Sequence, residues 1–320
     1  MSTNTTYADF GLGSVDSLLH ERDDRYEDRS VVVARRTPIR LLGTERSISR
    51  TRNFALGRDD GRLVLVHDLH PEDIHNGIGE LLFDELFSPG WAAGADTFER
   101  LFAGVVLTSR AEPVDAWELF YRNTLQRLAT SEEATVGQPA NLLAFRQIYR
   151  HCEQLISDVG ATSVLDVGTC FGFFALRLLA GAAGPVARVQ ACDVSPSATQ
   201  LLDQMADRLG YQFETVTCDA ARIPVPDAAA DVVTVLHLLE HVDEAHGARI
   251  VSEATRVARR RIVIAVPLEE HPEPTYGHIR QFNLDDLRTL AGRFPGWSAA
   301  VSECHGGWLV LDRISPVGQS

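Results

Sequence analysis

The chain contains 320 residues, of which 45% are hydrophobic and 23% are charged, and its formal net charge is −14. This length is enough to bury a sizeable core and suits about two domains. All 30 basic residues are arginines. The lack of lysine excludes Schiff-base enzymes, pyridoxal phosphate enzymes and phosphate-binding loops that need a lysine. The acidic balance makes nucleic acid an unfavourable partner, although a local arginine patch would still allow contact with one RNA end.

No hydrophobic run approaches the roughly 20 residues of a membrane span, and the N-terminus lacks the layout of a signal peptide. The five cysteines form no CxxC pair, which is typical of reduced residues and not of a disulfide framework or a zinc ribbon. We therefore expect a cytoplasmic protein without a membrane partner.

Over residues 1–135, the sequence predicts a disordered tail at 1–28 and a small α+β accessory domain at 29–135. The tail is polar and acidic. After it, a β-branched run begins at Ser30, and two apolar runs around Gly57–Gly61 predict a hairpin. Apolar residues at helical spacing predict helices over Pro71–Leu86, 97–107, 114–128 and 141–159. The stretch from 131 to 139 is the most linker-like.

From Ala161 onward, short apolar runs alternate with helical segments. The predicted strands are 164–167, 189–192, 213–217, 232–236, 262–266 and 308–311. The predicted helices between them are 173–179, 197–209, 245–257 and 284–292. This alternation predicts an α/β domain at 136–320 with a doubly wound, mostly parallel sheet. A ligand of such a sheet binds beyond the carboxyl ends of the strands.

The first of these strands runs into a glycine-containing turn at Asp166–Gly172. The dinucleotide pattern G-x-G-x-x-G fails there, because Cys170 and Phe173 stand where its second and third glycines belong. The turn instead fits D-x-G-x-G-x-G with Cys170 in place of the middle glycine. It resembles the cofactor loop of class I S-adenosylmethionine methyltransferases, a family with a Rossmann-like fold. The resemblance implies a loop around the methionyl part of the cofactor, with an acid for its ammonium group and amides for its carboxylate.

Further segments of this family's pattern follow in order. Asp193 ends the second strand 21 positions after Gly172, a spacing that suits a carboxylate that accepts hydrogen bonds from both ribose hydroxyls. The family holds the adenine amino group after the third strand, at Cys218–Ala221 here. The resemblance covers about Ala161 to Ile314 and implies S-adenosylmethionine as cofactor. The residues implied to bind it are Asp166, Gly168, Gly172, Asp193, Asp219 and Ala220.

Two loops after the fourth and fifth strands, His237–Val242 and Pro267–Phe282, hold four of the chain's 11 histidines. Methyl transfer from a sulfonium already has a good leaving group, so the enzyme must mainly align the acceptor and make it nucleophilic. Without lysine, this task falls to histidine, a carboxylate, a tyrosinate or a metal-bound oxyanion. Glu269 and His271 are reserve candidates, since a solvated substrate loop would also carry them.

Two mechanisms remain open for these loops. In the first, His241 or His278 is a general base on a hydroxyl, with Glu240 beside it. In the second, His237, Glu240, His241 and His278 bind a divalent cation that lowers the pKa of the hydroxyl. The second follows from a resemblance to the E-x-x-E-H…H motif of ubiquinone-pathway and small-RNA 2′-O-methyltransferases, with His237 in place of the first glutamate. One carboxylate among three imidazoles favours Mn, Fe or Zn over Mg.

Several short sequence segments carry a narrower resemblance. They are Asp84–Trp91, Phe98–Phe102, Asp115–Leu125, Cys170–Phe173 and Gly277–His278. These segments resemble the actinobacterial mycofactocin oligosaccharide methyltransferases, over most of residues 30 to 314. The resemblance implies O-methylation of the glucose chain on a peptide-derived redox cofactor. Trp91, Trp117 and Tyr121 are candidates for a sugar-stacking platform, but we interpret Trp117 and Phe120 as core residues.

The sequence therefore predicts an S-adenosylmethionine-dependent O-methyltransferase that acts on a small molecule or an oligosaccharide. A sugar hydroxyl on a glycosylated small molecule or on mycofactocin is the first hypothesis. A phenolic or polyketide natural product is the alternative acceptor. A protein of another class, a non-catalytic partner, would keep the fold but not the histidines. The oligomeric state does not follow from the sequence.

Overall fold

The computed structural model describes residues 25–35, 49–129, 140–184 and 186–314. These residues divide into two compact units. The N-terminal unit contains the residues up to Arg146 together with Pro274–Gly277, and the C-terminal unit contains 147–273 and the residues from His278 onward. The division falls within one helix, between Arg146 and Gln147. The predicted domain boundary at 135/136 lies outside the described residues and stays a prediction.

The N-terminal unit is built on a five-stranded mixed sheet. Its strands are β1 (Arg25–Glu27), β2 (Val31–Arg35), β3 (Ser49–Arg50), β4 (Phe54–Asp59) and β5 (Arg62–His67), in the order β1-β2-β5-β4-β3. β2 and β5 are parallel and the other neighbours are antiparallel. The predicted hairpin is present as β4 and β5, joined at Asp60 and Gly61, which both adopt positive φ as a tight turn requires.

The prediction of a disordered tail over 1–28 is wrong for Arg25–Glu27, which form strand β1. Tyr26 on this strand is buried. Directly after the strand, Asp28 accepts a hydrogen bond of 2.6 Å from Arg100 and one of 2.9 Å from the Tyr26 hydroxyl. These contacts stabilise a segment whose polar composition alone predicts no strand. Residues 1–24 lie outside the described part of the chain.

Among the described residues, four α-helices belong to the N-terminal part of the chain. They are α1 (Ile78–Leu82), α2 (Ala95–Leu107), α3 (Pro113–Ala129) and α4 (Ala140–Asp158), of which α4 continues into the C-terminal unit. The prediction of one helix over Pro71–Leu86 is wrong: the segment contains a 3₁₀ turn at Pro71–Asp73, α1 and a π turn at Phe83–Phe87. Asn123 donates hydrogen bonds to the carbonyls of Pro71 and Ile74. These side-chain contacts from α3 take carbonyls that a continuous helix would use internally.

Aromatic residues of α3 lie inside this unit. Trp117, Phe120 and Tyr121 are fully buried, and Phe120 contacts Trp117 and Phe102 edge to face. The interpretation of Trp117 and Phe120 as core residues is confirmed, and Tyr121 belongs to the same core. A stacking platform that includes Trp117 or Tyr121 is therefore wrong, because neither ring is accessible.

The C-terminal unit contains a seven-stranded sheet. Its strands are β6 (Ser163–Val167), β7 (Arg188–Asp193), β8 (Glu214–Thr217), β9 (Ala230–Leu236), β10 (Ala258–Val266), β11 (Trp297–Glu303) and β12 (Gly307–Arg313). The order across the sheet is β11-β12-β10-β9-β6-β7-β8. The helices are the second part of α4 together with α5 (Phe173–Leu179), α6 (Pro196–Leu209), α7 (Glu244–Val257) and α8 (Leu284–Ala291).

The strands β6 to β10 are parallel, and β12 runs antiparallel between β10 and β11. From β6 the chain first builds outward through β7 and β8, then returns to place β9 on the other side of β6. This reversal creates a switch point between β6 and β9, where doubly wound sheets bind their ligands. The predicted fold class, a doubly wound α/β domain with a smaller N-terminal α+β domain, is confirmed.

In the described residues, no helix combines the length and the hydrophobicity that crossing a bilayer would need.

Candidate functional site

The turn after β6 adopts the backbone shape that its motif predicts. Gly168, Cys170 and Gly172 all have positive φ, at 72°, 53° and 70°. Cys170 therefore takes up the left-handed conformation that suits the glycine it replaces. At Gly172 a β-carbon would overlap Leu202 of α6. The glycine is thus required both by its φ and by close packing.

Asp166, at the end of β6, is buried beneath this turn. Its Oδ2 accepts a hydrogen bond of 2.7 Å from the Thr169 hydroxyl, and its Oδ1 accepts one of 2.7 Å from Thr234. Burial raises the pKa of Asp166 to about 6, although both hydroxyls favour the ionised form. The carboxylate therefore fixes the turn to β6 and β9.

Asp193 ends β7 and also contacts the turn. Its Oδ2 accepts a hydrogen bond of 2.9 Å from the Cys170 amide, and its Oδ1 accepts one of 3.0 Å from the Ser195 amide. Burial raises its pKa, and these backbone donors act in the opposite direction. The structure thus brings Asp193 next to the glycine turn, as the predicted cofactor site requires.

Asp219 follows β8 and is paired with a histidine that the sequence did not single out. Its Oδ1 lies 2.9 Å from Nε2 of the buried His246 and accepts a hydrogen bond from the Ala221 amide, beside Ala220. Nδ1 of His246 lies 2.7 Å from Arg249, which can only donate. Nε2 therefore carries the proton that Asp219 accepts. Only the position of His246, at the start of the helix after β9, could have suggested this role.

Glu240 is the most deeply buried member of the histidine-rich loop after β9. Its side chain is fully buried, and neither carboxylate oxygen makes a hydrogen bond of regular geometry. Nδ1 of His237 lies 3.1 Å from Oε1. Burial alone would raise the pKa of Glu240, but the contact with His237 and the charge of His241 outweigh burial and lower it. The geometry thus keeps a carboxylate ionised in a closed environment.

The backbone of Glu240 also holds the second loop in place. Its carbonyl accepts hydrogen bonds from the amides of Ile279 (2.9 Å) and Arg280 (3.1 Å). The ring of His278 lies edge to face against the ring of His241, with 4.9 Å between centroids. The predicted catalytic residues His241 and His278 are 37 positions apart in the chain. The structure brings them together in the loops that follow β9 and β10.

A divalent cation fits this arrangement. Glu240, His241 and His278 each offer one donor atom, and the three atoms lie within 4.8 Å of one another. Ligands at about 2.1 Å from a shared ion lie up to about 4.2 Å apart, so a small closure would complete the site. The two buried oxygens of Glu240 that lack regular hydrogen bonds are the observation that supports a ligand here. His237 is not part of this group and instead contacts Glu240.

The two reserve candidates, Glu269 and His271, differ in their contacts. Nδ1 of His278 lies 2.8 Å from Oε2 and 3.0 Å from Oε1 of Glu269. His271 is exposed and does not belong to the group of three donors.

One protein-family model matches part of the C-terminal unit. Residues 164–261 match the family model described as a methyltransferase domain. This part of the C-terminal unit is therefore similar to a methyltransferase domain. S-adenosylmethionine is accordingly its cofactor. No curated protein matches the chain.

Several solved structures are similar to the chain. The magnesium protoporphyrin IX methyltransferase of Synechocystis PCC 6803, with bound S-adenosylmethionine, has 21% identity and a TM-score of 0.45, over 62% of this chain and 94% of that one. The methyltransferase domain of bacterial CtHen1 has 17% identity and a TM-score of 0.47, over 54% and 100%. An O-methyltransferase-like protein of Nostoc punctiforme PCC 73102 has 14% identity and a TM-score of 0.44, over 60% and 68%. The fold is identified by the strand order of the sheet and not by these structural matches.

Proposed function

We propose that this methyltransferase domain transfers the methyl group to a hydroxyl oxygen, and that the acceptor binds at Glu240, His241 and His278. The observation that carries the proposal is the grouping of these three side chains in the loops after β9 and β10, since β9 is the neighbour of β6 in the sheet. A hydroxyl is a poor nucleophile until its proton is removed or its pKa is lowered. A buried carboxylate and two imidazoles supply groups for either task.

The cofactor site of this proposal consists of the turn after β6 and the two strand ends beside it. Asp193 would accept the ribose hydroxyls, and Asp219 with Ala220 would lie at the adenine. Gly168 and Gly172, both with positive φ, would allow the turn to approach the methionyl part closely. Asp166, whose two oxygens accept hydrogen bonds from Thr169 and Thr234, would support the turn and serve the ammonium group of the cofactor.

Two ways of activating the acceptor fit the site, and the donor set favours the metal. Glu240, His241 and His278 would hold a divalent cation, which when bound lowers the pKa of an acceptor hydroxyl. Two imidazoles and one carboxylate suit Mn, Fe or Zn and leave coordination positions open. Without a metal, His241 or His278 would take the proton as a general base. His237 would act through its contact with Glu240.

The proposed acceptor is a sugar hydroxyl, on a glycosylated small molecule or on mycofactocin. Support comes from the resemblance of short sequence segments, among them Cys170–Phe173 and Gly277–His278, to those of the mycofactocin oligosaccharide methyltransferases. Neighbouring hydroxyls of a sugar would also suit a chelating cation.

A phenolic or polyketide acceptor is the second candidate, and one observation favours it. Leu268 and Ile279 are exposed apolar side chains, with relative exposures of 36% and 57%. Ile279 directly follows His278 of the proposed acceptor site, and Leu268 directly precedes Glu269, which contacts His278. Exposed apolar side chains beside a site suit an acceptor with an aromatic or apolar face.

The deciding experiment is mass spectrometry of an extract of the source organism, incubated with the protein and methyl-labelled S-adenosylmethionine. A labelled product that contains hexose units supports the sugar acceptor, and a labelled phenol or polyketide supports the second candidate. Binding of S-adenosylmethionine without any labelled product would favour the non-catalytic partner protein. Loss of transfer in EDTA and its return with Mn²⁺ would support the metal, whereas activity unchanged by EDTA would favour the general base.

A further inference from the structure

Glu269 follows β10 and makes a contact with His278 that neither mechanism above uses. Both of its carboxylate oxygens lie within hydrogen-bond distance of Nδ1 of His278, at 2.8 and 3.0 Å. The His278 side chain is 10% exposed and that of Glu269 is 26% exposed. The pair is therefore largely shielded from solvent, and the two side chains hold each other in one orientation.

The contact determines which ring nitrogen of His278 carries a proton. An ionised carboxylate only accepts hydrogen bonds, so Nδ1 must be the donor. In the neutral ring, Nε2 then has the lone pair that a metal or a substrate proton needs. Such a carboxylate is the usual partner of a ligating histidine and also of a catalytic histidine base.

The backbone around His278 is fixed separately. The amide of His278 donates to the carbonyl of Glu273 at 3.2 Å, and the next two amides donate to the carbonyl of Glu240. These bonds place the α-carbon of His278 but do not by themselves limit rotation of its ring about the side-chain bonds. The contact with Glu269 restricts that rotation near Glu240 and His241.

We propose that Glu269 is a positioning residue, which fixes the tautomer and the ring orientation of His278 so that Nε2 faces the acceptor site. This proposal rests on the proposed function, since it gives the role of His278 its physical basis. It holds whether His278 ligates a metal or removes a proton. Removal of such a carboxylate typically lowers metal affinity or activity 10- to 100-fold.

The test is the tautomer of His278 in the full-length protein, measured by long-range ¹H–¹⁵N correlation spectra of ¹⁵N-histidine-labelled protein at alkaline pH. The signals of His278 are assigned by their loss in His278→Asn. We expect the Nδ1–H tautomer in the wild type and a shift toward Nε2–H in Glu269→Ala. The matched control is Glu270→Ala, because Glu270 is adjacent, acidic and exposed. S-adenosylmethionine binding measured on each variant verifies that the domain is folded.

An Nε2–H tautomer in the wild type, or a His278 spectrum that Glu269→Ala leaves unchanged, would overturn the proposal. If Glu269→Ala does not fold, Glu269→Gln takes its place. The neutral amide of that variant can both donate and accept, so we expect both tautomers there, and an unchanged Nδ1–H population would again overturn the proposal. The tautomer is read without an acceptor, so a protein with the expected spectrum and no methyl transfer would refute the proposed function alone.

Discussion

Asp166 and Asp193 are buried carboxylates at neighbouring strand ends, and burial raises the pKa of both. A local pattern, an acid at the end of a hydrophobic strand, was enough to predict that these two residues lie at strand ends. Some hydrogen-bond partners of these acids lie further away in the sequence. The sequence carries no sign that Thr234 binds Asp166, or that His246 binds Asp219 across 27 positions. Packing of the strands and of α7 determines those pairs, and the sequence does not state which side chains that packing brings together.

Asp166 predicts a dependence of stability on pH. The pKa of a free aspartate side chain is 3.8, and that of Asp166 in the folded protein is about 6. The folded state thus holds this proton more tightly, so the stabilisation is complete below pH 4 and is lost as the pH rises through 6. The loss at neutral pH is about 3 kcal/mol. Asp166→Asn should reduce the decline between pH 4 and 7 in urea unfolding.

The control for this measurement is Asp231→Asn. The pKa of Asp231 is lowered to about 2: burial acts to raise it, but the hydrogen bonds from Thr162 and the charge of Arg259 outweigh burial. Its contribution to stability therefore changes below pH 4 and has the opposite sign. A slope between pH 4 and 7 that is equal in the wild type and in Asp166→Asn would contradict the prediction.

Asp193→Ala should weaken S-adenosylmethionine binding at least 10-fold. The substitution removes the proposed acceptor of the ribose hydroxyls and also the partner of the Cys170 amide. Isothermal titration calorimetry measures the affinity, and circular dichroism verifies that the fold persists. Asp207→Ala is the matched control, since Asp207 is exposed on α6. Equal affinity in the two variants would show that Asp193 does not hold the cofactor.

At the scale of elements, the bounds of strands and helices with a strong hydrophobic pattern were predicted closely. The helix expected over Phe173–Leu179 has those bounds in the structure, because apolar spacing and the glycine before it mark both its face and its start. Strand β11 was missed, since its residues are mostly exposed at a sheet edge and show no apolar alternation. The segment from Pro71 was predicted as one helix because the contacts from Asn123 that interrupt it come from a distant element.

The packing of the β6 turn against α6 gives a prediction at this scale. Gly172→Ala should destabilise the protein by about 2–5 kcal/mol, from the positive φ and from the overlap with Leu202 together. Gly160→Ala is the matched control: Gly160 also has positive φ, but nothing lies within 4 Å of its added β-carbon. Its cost should be about 1–2 kcal/mol. Urea unfolding of both variants measures the difference, and equal costs would exclude the overlap as a cause.

For the whole molecule, the alternation of strands and helices was enough to predict a doubly wound domain and its mostly parallel sheet. The assignment of Pro274–Gly277 to the N-terminal unit was not predictable. This segment follows β10 of the C-terminal sheet, yet Tyr276 stacks on Phe83 at 5.3 Å and contacts Phe98 edge to face at 5.4 Å. Aromatic contacts between residues so far apart in the chain leave no local pattern in the sequence.

Tyr276→Ala should therefore destabilise the N-terminal unit. Loss of two aromatic pairs costs about 1–3 kcal/mol, and Tyr276→Phe, which keeps both rings in contact, should cost little. Hydrogen exchange measured by mass spectrometry should show faster exchange at Phe83–Phe87 and in α2 in the alanine variant. Faster exchange confined to β9 and β10 would contradict the assignment of this segment to the N-terminal unit.

The same segment has a consequence for the order of events during synthesis. Domains usually fold from the N-terminus as the chain leaves the ribosome. Here the aromatic cluster of Phe83 and Phe98 receives its last ring only when Tyr276 has been made, long after Arg146. At about 5–20 residues per second, that delay is on the order of 10 s. The nascent N-terminal unit must therefore wait, with part of its aromatic surface uncovered, until most of the methyltransferase domain has emerged.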